Sequence, residues 1–400
     1  MSDANTTPDP DEGIGRRIAR KRSARGLTQQ GLADRAYVSR SLIQQVETGR
    51  KPATPSLVAA VASALHIDPV TLYGQPYRGA TMRKDRVHAA IPDIRKALTY
   101  VDLAPTLDTP PRPLAELAKT VTEAKRLQQQ ARHVQLGARL PALIDELTVH
   151  AHDTDSPRAW RLLNQTHSLA NSLSRRLGYT DLAQLAMERA ARSADRSDDP
   201  NLPQLVTLSR ALLLLTIGAW DPALALLDHA AGHVEQDRPE SVTVFGALHL
   251  RAAIVAARAG RETEAWGHHG IADDAARRIG PRVRDEYGVQ LTAANVDIHG
   301  VAVAVELTDF DEAIRRDSRL SLPSSMPADR RAHHEIDVSR ALVSTGQHDR
   351  ALRRIQSAEK TAPQMTWYHP MARETVGRLV DHYRALPEPL RAIQEHMSLS

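Results

Sequence analysis

Cysteine is absent from this 400-residue sequence, aromatic residues make up only 4% of it, and its strongly apolar runs are short. The lack of cysteine excludes a disulfide framework and a thiolate zinc site, and it suits a reducing cytoplasm. The longest strongly apolar run, residues 211–220, has about half the length that spans a bilayer. Residues 1–13 are polar and acidic, without the apolar core of a signal peptide. We therefore expect a cytoplasmic protein that makes no contact with a membrane.

Alanine, leucine and arginine are abundant, and all three favour helices. The 42% of hydrophobic and 25% of charged residues are typical of folded soluble proteins rather than disordered ones. A chain of this length exceeds one compact domain. The sequence thus predicts an all-α protein with at least two folded units, preceded by disorder over residues 1–12.

Positive charge is concentrated near the N-terminus. Residues 14–51 contain ten basic and two acidic residues, so that this segment carries a formal charge of +8 within a total of +4. The rest of the chain is therefore mildly acidic. A basic domain on an acidic remainder is typical of nucleic-acid binders, although charge alone fits a solvated helix face equally well.

Residues 27–67 have the pattern of short helices that are each buried on one face. Thr28 is placed to cap a helix over 29–36, and Ser39 to cap a second helix that ends near residue 48. On this second helix the apolar face has Leu42, Ile43 and Val46, and the polar face has Arg40, Ser41, Gln44 and Gln45. A helix of this kind can enter the major groove of DNA and contact base edges.

This segment closely resembles the Xre family of lambda-repressor-like DNA-binding domains. The resemblance implies a five-helix domain over residues 13–76. It implies base contacts by Arg40, Ser41 and Gln45, phosphate contacts by Gln29, Ser39, Arg50 and Lys51, and a structural ion pair between Arg22 and Glu47. Gln44 fits a DNA contact and a solvated surface equally well. A helical bundle without a DNA partner remains an alternative for the whole segment.

Tyr37 departs from the family pattern, because the family usually has glycine at this position of the turn. A residue other than glycine with a positive φ costs energy. We therefore expect a reshaped turn, which would change the aim of Ser39 and Arg40.

Residues 77–113 are predicted to connect this domain to the rest of the chain. A helix is expected over 82–101, kinked at Pro92, and a proline-rich linker follows over 104–113.

Residues 114–396 show a recurring pattern in which a helix ends, often at glycine, and a new helix begins with acidic residues and alanine. Gly178, Gly218 and Gly260 follow one another at intervals of 40 and 42 residues, and Gly346 comes two further steps of 43 along. The turn between these steps, at 307–310, lacks its glycine. A period of this length predicts stacked helical hairpins. The units resemble tetratricopeptide repeats with an enlarged period, over about 158–387.

An Xre domain followed by a tetratricopeptide-like α-solenoid resembles the peptide-responsive regulators grouped as RRNPP and the large actinobacterial Xre regulators. The resemblance implies a homodimer on a palindromic DNA operator, with a peptide, small molecule or protein as effector of the solenoid. Two rival functions are a constitutive repressor and an antitoxin-like protein whose solenoid only binds another protein.

Polar residues recur on the first helices of several hairpins and predict a ligand-binding groove on the concave side of the solenoid. The predicted ligand-binding residues are Asn164, His167, Asn171, His249, Asn295 and His299. A solvated helix face accounts for the same spacing.

Signatures of catalysis are missing from the sequence: there is no Walker A loop, no Rossmann glycine fingerprint and no nucleophile elbow. The histidine pairs at 229/233 and 333/334 lack the spacing of a known zinc site. We therefore expect neither an enzyme nor a bound metal or cofactor.

Overall fold

The computed structural model describes residues 13–78, 85–100, 103–280 and 285–399. Within these ranges the chain forms 21 α-helices and no strand, which confirms the predicted all-α class. We call helices α1–α5 the head and helices α7–α21 the body. The disorder predicted for residues 1–12 lies outside the described residues.

The head consists of five short helices, each with one buried face. These are α1 (Ile14–Ala24), α2 (Gln29–Arg35), α3 (Arg40–Glu47), α4 (Pro55–Ala64) and α5 (Pro69–Tyr73). The side chains of Thr28, Ser39, Thr54 and Asp68 accept a hydrogen bond from the first turn of α2, α3, α4 and α5. Such caps satisfy backbone N–H groups that the helix itself leaves unpaired, and they fix where each helix begins.

The connection from head to body differs from the single kinked helix expected over 82–101. A 3-10 helix (Arg86–His88) and α6 (Ile91–Ala97) are separate. Pro92 lies in the first turn of α6, where its missing N–H costs no helical hydrogen bond, so that it begins a helix instead of kinking one. Residues 82–84 and 101 of that prediction lie outside the described ranges.

The body begins with a pair of helices, continues with five helical hairpins and ends with three shorter helices. The pair is α7 (Leu114–Gln129) and α8 (His133–Thr154). The hairpins are α9 (Pro157–Arg176) with α10 (Thr180–Asp195), α11 (Asn201–Ile217) with α12 (Trp220–Gly232), α13 (Pro239–Arg258) with α14 (Glu262–Ile279), α15 (Ala293–Glu306) with α16 (Phe310–Asp317), and α17 (Ala328–Ser344) with α18 (His348–Thr361). The last helices are α19 (Pro363–Tyr368), α20 (Pro370–His382) and α21 (Glu388–Met397).

The turn of every hairpin contains a residue in the left-handed conformation. Gly178, Gly218, Gly260 and Gly346 have φ values of 86°, 78°, 73° and 75°, and Thr308 takes the same place in the fourth hairpin with φ 62°. Glycine adopts this conformation at no steric cost, which is why it ends so many helices. The turn without glycine that the sequence pattern predicted is therefore a hairpin turn like the others.

Helix α13 of the body is longer and more apolar than the apolar runs of the sequence indicated. Pro239–Arg258 has the length and composition of a membrane span, and 78% of its apolar window is buried inside the protein. It packs against α12, α14 and α15, as a core helix of a folded domain does.

Helices near the two ends of the body contact each other. The backbone N–H of Val134 in α8 donates to Oε1 of Gln364 in α19, at 3.0 Å, and Arg176 lies 3.5 Å from Asp329 in an ion pair. Helix α7 also contacts α17. The body therefore curls until its two ends meet.

The head packs against the turns of the first three hairpins of the body through the side that carries α4 and α5. Oγ of Ser56 donates to the carbonyl of Arg258 at 3.0 Å, and Nε2 of Gln75 donates to the carbonyl of Arg176 at 3.4 Å. A methyl group on Gly218 would come within 2.9 Å of Cβ of Ala59. The first three hairpins thus contact the head directly, and the C-terminal end of α3 lines a cavity together with α20.

Candidate nucleic-acid interface and body cavity

Helix α3 presents a polar surface to solvent. Ile43 and Val46 are buried in the head core, whereas Arg40, Ser41 and Gln44 are exposed. The side chains of Arg40 and Gln44 form no hydrogen bond or ion pair within the described residues. Their donors are therefore free for a partner outside the chain, and a guanidinium at the first turn of such a helix can bond to the edge of guanine.

Two further predicted DNA-binding residues are fixed by local hydrogen bonds. Oγ of Ser39 accepts from the backbone N–H of Leu42 at 3.1 Å, which caps α3. Gln45, half-buried, donates from Nε2 to Oγ of Ser41 at 3.0 Å. The first turn of α3 is therefore held in one orientation before any DNA is present.

An ion pair between α1 and α3 holds the head together. Nε of Arg22 lies 2.6 Å from Oε1 of Glu47, and Nη2 lies 3.0 Å from Oε2. Nε2 of Gln29 donates to the same carboxylate at 2.8 Å. The hydrogen bond to Glu47 raises the pKa of Arg22. Gln29, predicted as a phosphate contact, thus uses one of the two N–H donors of its amide within the protein, and the second is the donor that a phosphate oxygen could accept from.

Arg50 and Lys51 follow α3 in the loop to α4, and both side chains are exposed. They form no ion pair within the part of the chain that the structure describes. Two unpaired cations beside a helix that presents polar side chains are suited to contact the phosphates on either side of a groove.

Tyr37 adopts the left-handed conformation itself, with φ 54°. The turn between α2 and α3 is therefore not reshaped at this residue, contrary to our expectation; the tyrosine takes the strained conformation that glycine would favour. Its side chain is 96% exposed and lies two residues before α3. Tyr37 was not among the predicted DNA-binding residues, although an exposed aromatic ring beside a polar helix is itself a candidate contact.

The six predicted ligand-binding residues of the body do not lie together. Asn164, Asn171, Asn295 and His299 line one cavity of about 260 Å³. His167 and His249 lie outside it: Nδ1 of His167 is 3.2 Å from Oγ of Ser193, and Nδ1 of His249 is 2.9 Å from Nδ1 of His268. Both of these histidines pack between the two helices of a hairpin.

Two of the asparagines that line the cavity are already bonded. Nδ2 of Asn164 donates to the carbonyl of Ala190 at 2.7 Å, and Nδ2 of Asn171 donates to that of Ala183 at 2.8 Å. Asn295 is 2% exposed, and neither atom of its amide has a partner within the described residues. Among the three asparagines, Asn295 therefore has the free hydrogen-bonding capacity that a ligand can use.

Three histidines of this region, His167, His249 and His299, have a pKa below the usual value. Burial lowers the pKa of His167 to about 3 and, with the charge of His268, that of His249 to about 4. Burial and the charge of Arg330 lower the pKa of His299 well below its usual value. Among the described residues, no group of three or more His, Cys, Asp or Glu side chains is arranged to hold a metal ion.

Four arginines that were not among the predicted ligand-binding residues also line the cavity: Arg175, Arg176, Arg251 and Arg330. Burial and the charges of neighbouring arginines lower the pKa of Arg251 to about 9 and that of Arg175 to about 10. The sequence signal for this cluster was the arginine pair at the end of α9. The pair was not selected because arginine on a helix is usually solvated.

A family model described as a helix-turn-helix domain matches residues 14–72, which span α1 to α4 and all but the last residue of α5. The head is therefore a helix-turn-helix domain, and an all-helical chain with such a head has the make-up of a DNA-binding regulator. No curated protein matches the chain.

Two solved structures are similar to the chain at low sequence identity. BtubC (BKLC) from P. vanneervenii is 17% identical, with 69% of this chain and 94% of that chain covered and a TM-score of 0.37. PlcR from Bacillus thuringiensis, solved in complex with the peptide PapR7 and DNA, is 13% identical, with 77% and 95% covered and a TM-score of 0.33. Similarities at this level say nothing of what the present chain binds.

Proposed function

We propose that the protein is a cytoplasmic, dimeric transcription regulator of the Xre type, and that a ligand or partner bound by the body changes its affinity for a DNA operator. The observation that carries the proposal is the surface of α3. Arg40, Ser41 and Gln44 are exposed there, and the side chains of Arg40 and Gln44 have no partner within the described residues, on a helix that is capped by Ser39 and held by a buried apolar face. This is the arrangement that reads base edges in a major groove.

The basic residues around α3 supply affinity that does not depend on sequence. Arg50 and Lys51 reach the phosphates beside the groove, and the exposed ring of Tyr37 packs against the sugar–phosphate backbone at the other end of α3. Contacts of this kind fix the register of the helix, whereas contacts with the bases select the sequence.

Dimerisation follows from the size of the head. A single head of about sixty residues contacts few base pairs, and useful specificity requires two half-sites about one helical turn apart. We infer a palindromic operator, with the body of each subunit setting the distance between the two heads.

Regulation through the body is supported by the position of its cavities. The cavity of about 260 Å³ shares Arg175 and Arg176 with a second cavity, of about 180 Å³, that lies between the body and the head residues Pro55, Tyr73 and Gln75. A ligand in the first cavity thus touches residues that also contact the head. Such a ligand shifts operator affinity only by as much as it prefers one body arrangement over another.

The test begins with genome-wide occupancy of the tagged protein, which yields the operator. Operator affinity is then measured with purified protein, in buffer and in extract of the native host. A change in affinity supports regulation by a ligand or partner. Equal affinity in both would identify a constitutive repressor, and failure to bind any specific sequence would overturn the proposal.

A further inference from the structure

The structure assigns an anion-binding site to the cavity of the body: Arg175, Arg176, Arg251 and Arg330 bind a compact, multiply charged anion, either a phosphate or a carboxylate group of a small molecule. The inference rests on the proposed function, in which the body binds a ligand, and it names the chemical class of that ligand.

Three helices that are far apart in sequence bring the four guanidinium groups to one cavity. Arg175 and Arg176 end α9, Arg251 lies in α13, and Arg330 lies in the first turn of α17. Among the described residues, Asp329 is the only acidic residue that lines the same cavity, and it lies 3.5 Å from Arg176. At least three positive charges in this cavity therefore have no counter-charge from the described residues that line it.

Two of these arginines, Arg175 and Arg251, have no ion-pair partner within the described residues, whereas neighbouring arginines do. Within the described residues, the side chains of Arg175 and Arg251 form no ion pair or hydrogen bond, and the Nε atom of each is buried. Nearby Arg258 and Arg340 instead bind the buried carboxylate of Glu306, at 3.0 Å and 2.9 Å. An uncompensated charge on a half-buried side chain loses part of its hydration, so an anion that bonds to these groups recovers some of that free energy.

The cluster remains charged in spite of its crowding. Burial and neighbouring arginines lower the pKa of Arg251 only to about 9 and that of Arg175 to about 10, so both are protonated at neutral pH. The planar guanidinium matches the oxygens of phosphate and carboxylate groups in paired hydrogen bonds. Mutual repulsion among the four groups thus creates a site that an anion stabilises.

The remaining walls of the cavity define the rest of the ligand. The amide of Asn295 is buried without a partner beside the arginines. Leu205, Leu208 and Leu212 supply an apolar wall on α11. The volume of about 260 Å³ lies just below the range of about 300–1,000 Å³ for small-molecule sites. The ligand is therefore small, with an anionic group at the arginines and a short organic part against α11.

The experiment measures the melting temperature of the full-length protein, and its affinity by calorimetry, with inorganic phosphate or with citrate at constant ionic strength. Ligands that bind the native state raise its melting temperature. We expect a rise with at least one of the two anions, and the anion that acts distinguishes a phosphate source from a carboxylate source. No rise with either anion overturns the inference.

Arg251→Gln is the test variant, and Arg319→Gln, at an exposed position outside the cavity, is the matched control. The expected loss of anion affinity in Arg251→Gln is about tenfold or more, equivalent to one charge-assisted hydrogen bond. Both variants retain the cations of the head, so binding there is the same in each. An equal response of wild type and both variants places the anion elsewhere and overturns the site.

The unliganded variants provide a second readout. Removing one of four repelling charges should leave the melting temperature of Arg251→Gln equal to that of wild type or higher. Arg330→Gln should behave in the same way. A lower melting temperature in both, with an unchanged anion response, would mean that these arginines only stabilise the fold.

Operator binding separates this inference from the proposed function. An anion that binds wild type but leaves operator affinity unchanged supports the site and contradicts its role in regulation. Host extract that changes operator affinity equally in wild type and Arg251→Gln supports regulation and contradicts the anion class.

Discussion

Polar residues that recur at helical spacing lie outward in the head and inward in the body. Helix α3 buries two of its eight residues, so the face opposite its apolar residues is exposed. Helix α9 buries twelve of its twenty residues, and Asn164 and Asn171 lie among them, bonded to the backbone of α10. Spacing therefore identifies which residues share a face of a helix. Whether that face meets solvent depends on how many neighbouring helices pack around it.

We expect the largest effect on stability from removing the carboxylate of Glu47, which joins α1, α2 and α3. Glu47→Ala leaves Arg22 and Gln29 without their shared acceptor, and removing one partner of a buried pair costs on the order of 3 kcal/mol. Hydrogen exchange of the full-length protein should show faster exchange in the head and unchanged exchange in the body. Glu47→Gln, which retains an acceptor oxygen, is the control. Unchanged protection of α1 and α3 in Glu47→Ala would show that the pair contributes little.

Features that depend on neighbouring residues could be predicted from the sequence, whereas contacts between distant residues could not. Caps and glycine turns are local, so the limits of α2 and α3 and all five hairpins, including the turn at Thr308, follow from residues close together in the chain. Residues far apart in the chain form the contact between α8 and α19, the contact between head and body, and the cavity that Arg175 shares with Arg251. No local pattern carries that information, and the arginine cluster was missed for this reason.

Arg40→Ala tests the outward face of α3. The side chain is exposed and unpartnered, so its loss should leave stability unchanged and remove about 1–3 kcal/mol of discrimination at one base pair. Competition binding with operator variants measures this loss, and the melting temperature checks the fold. Gln44→Ala, one turn further along the same face, is the matched comparison. Full specificity in Arg40→Ala would contradict the assignment of α3 as the reading helix.

A pair of glycine substitutions tests the contact between the two regions. Gly218→Ala and Gly260→Ala both force a Cβ into a left-handed turn, at about 1 kcal/mol each. Only the methyl group at 218 meets Ala59 of the head; nothing lies within 4 Å of the one at 260. We expect a larger loss of stability in Gly218→Ala, because its methyl group forces Ala59 or the turn to shift, and we expect changed operator affinity in Gly218→Ala alone. Equal operator affinities would indicate that this contact does not affect DNA binding.

The smallest expected effect concerns the phosphate contacts. Arg50→Ala and Lys51→Ala should each weaken binding to all DNA sequences and reduce the slope of log affinity against log salt concentration by about one unit. Filter binding across a series of salt concentrations measures the slope. Arg319→Ala, far from the head in sequence, should leave it unchanged. A slope equal to that of wild type would place both cations away from the DNA backbone.

The contact between the two ends of the body, where Val134 bonds to Gln364, limits how the body can change shape. In a solenoid with free ends, small rotations between successive repeats add up to a gradual change of curvature. When the ends meet, the sum of those rotations is fixed, and a tilt of one hairpin must be cancelled by the others or must separate the ends. A net change in the curvature of this body therefore requires the hydrogen bond between Val134 and Gln364 to break.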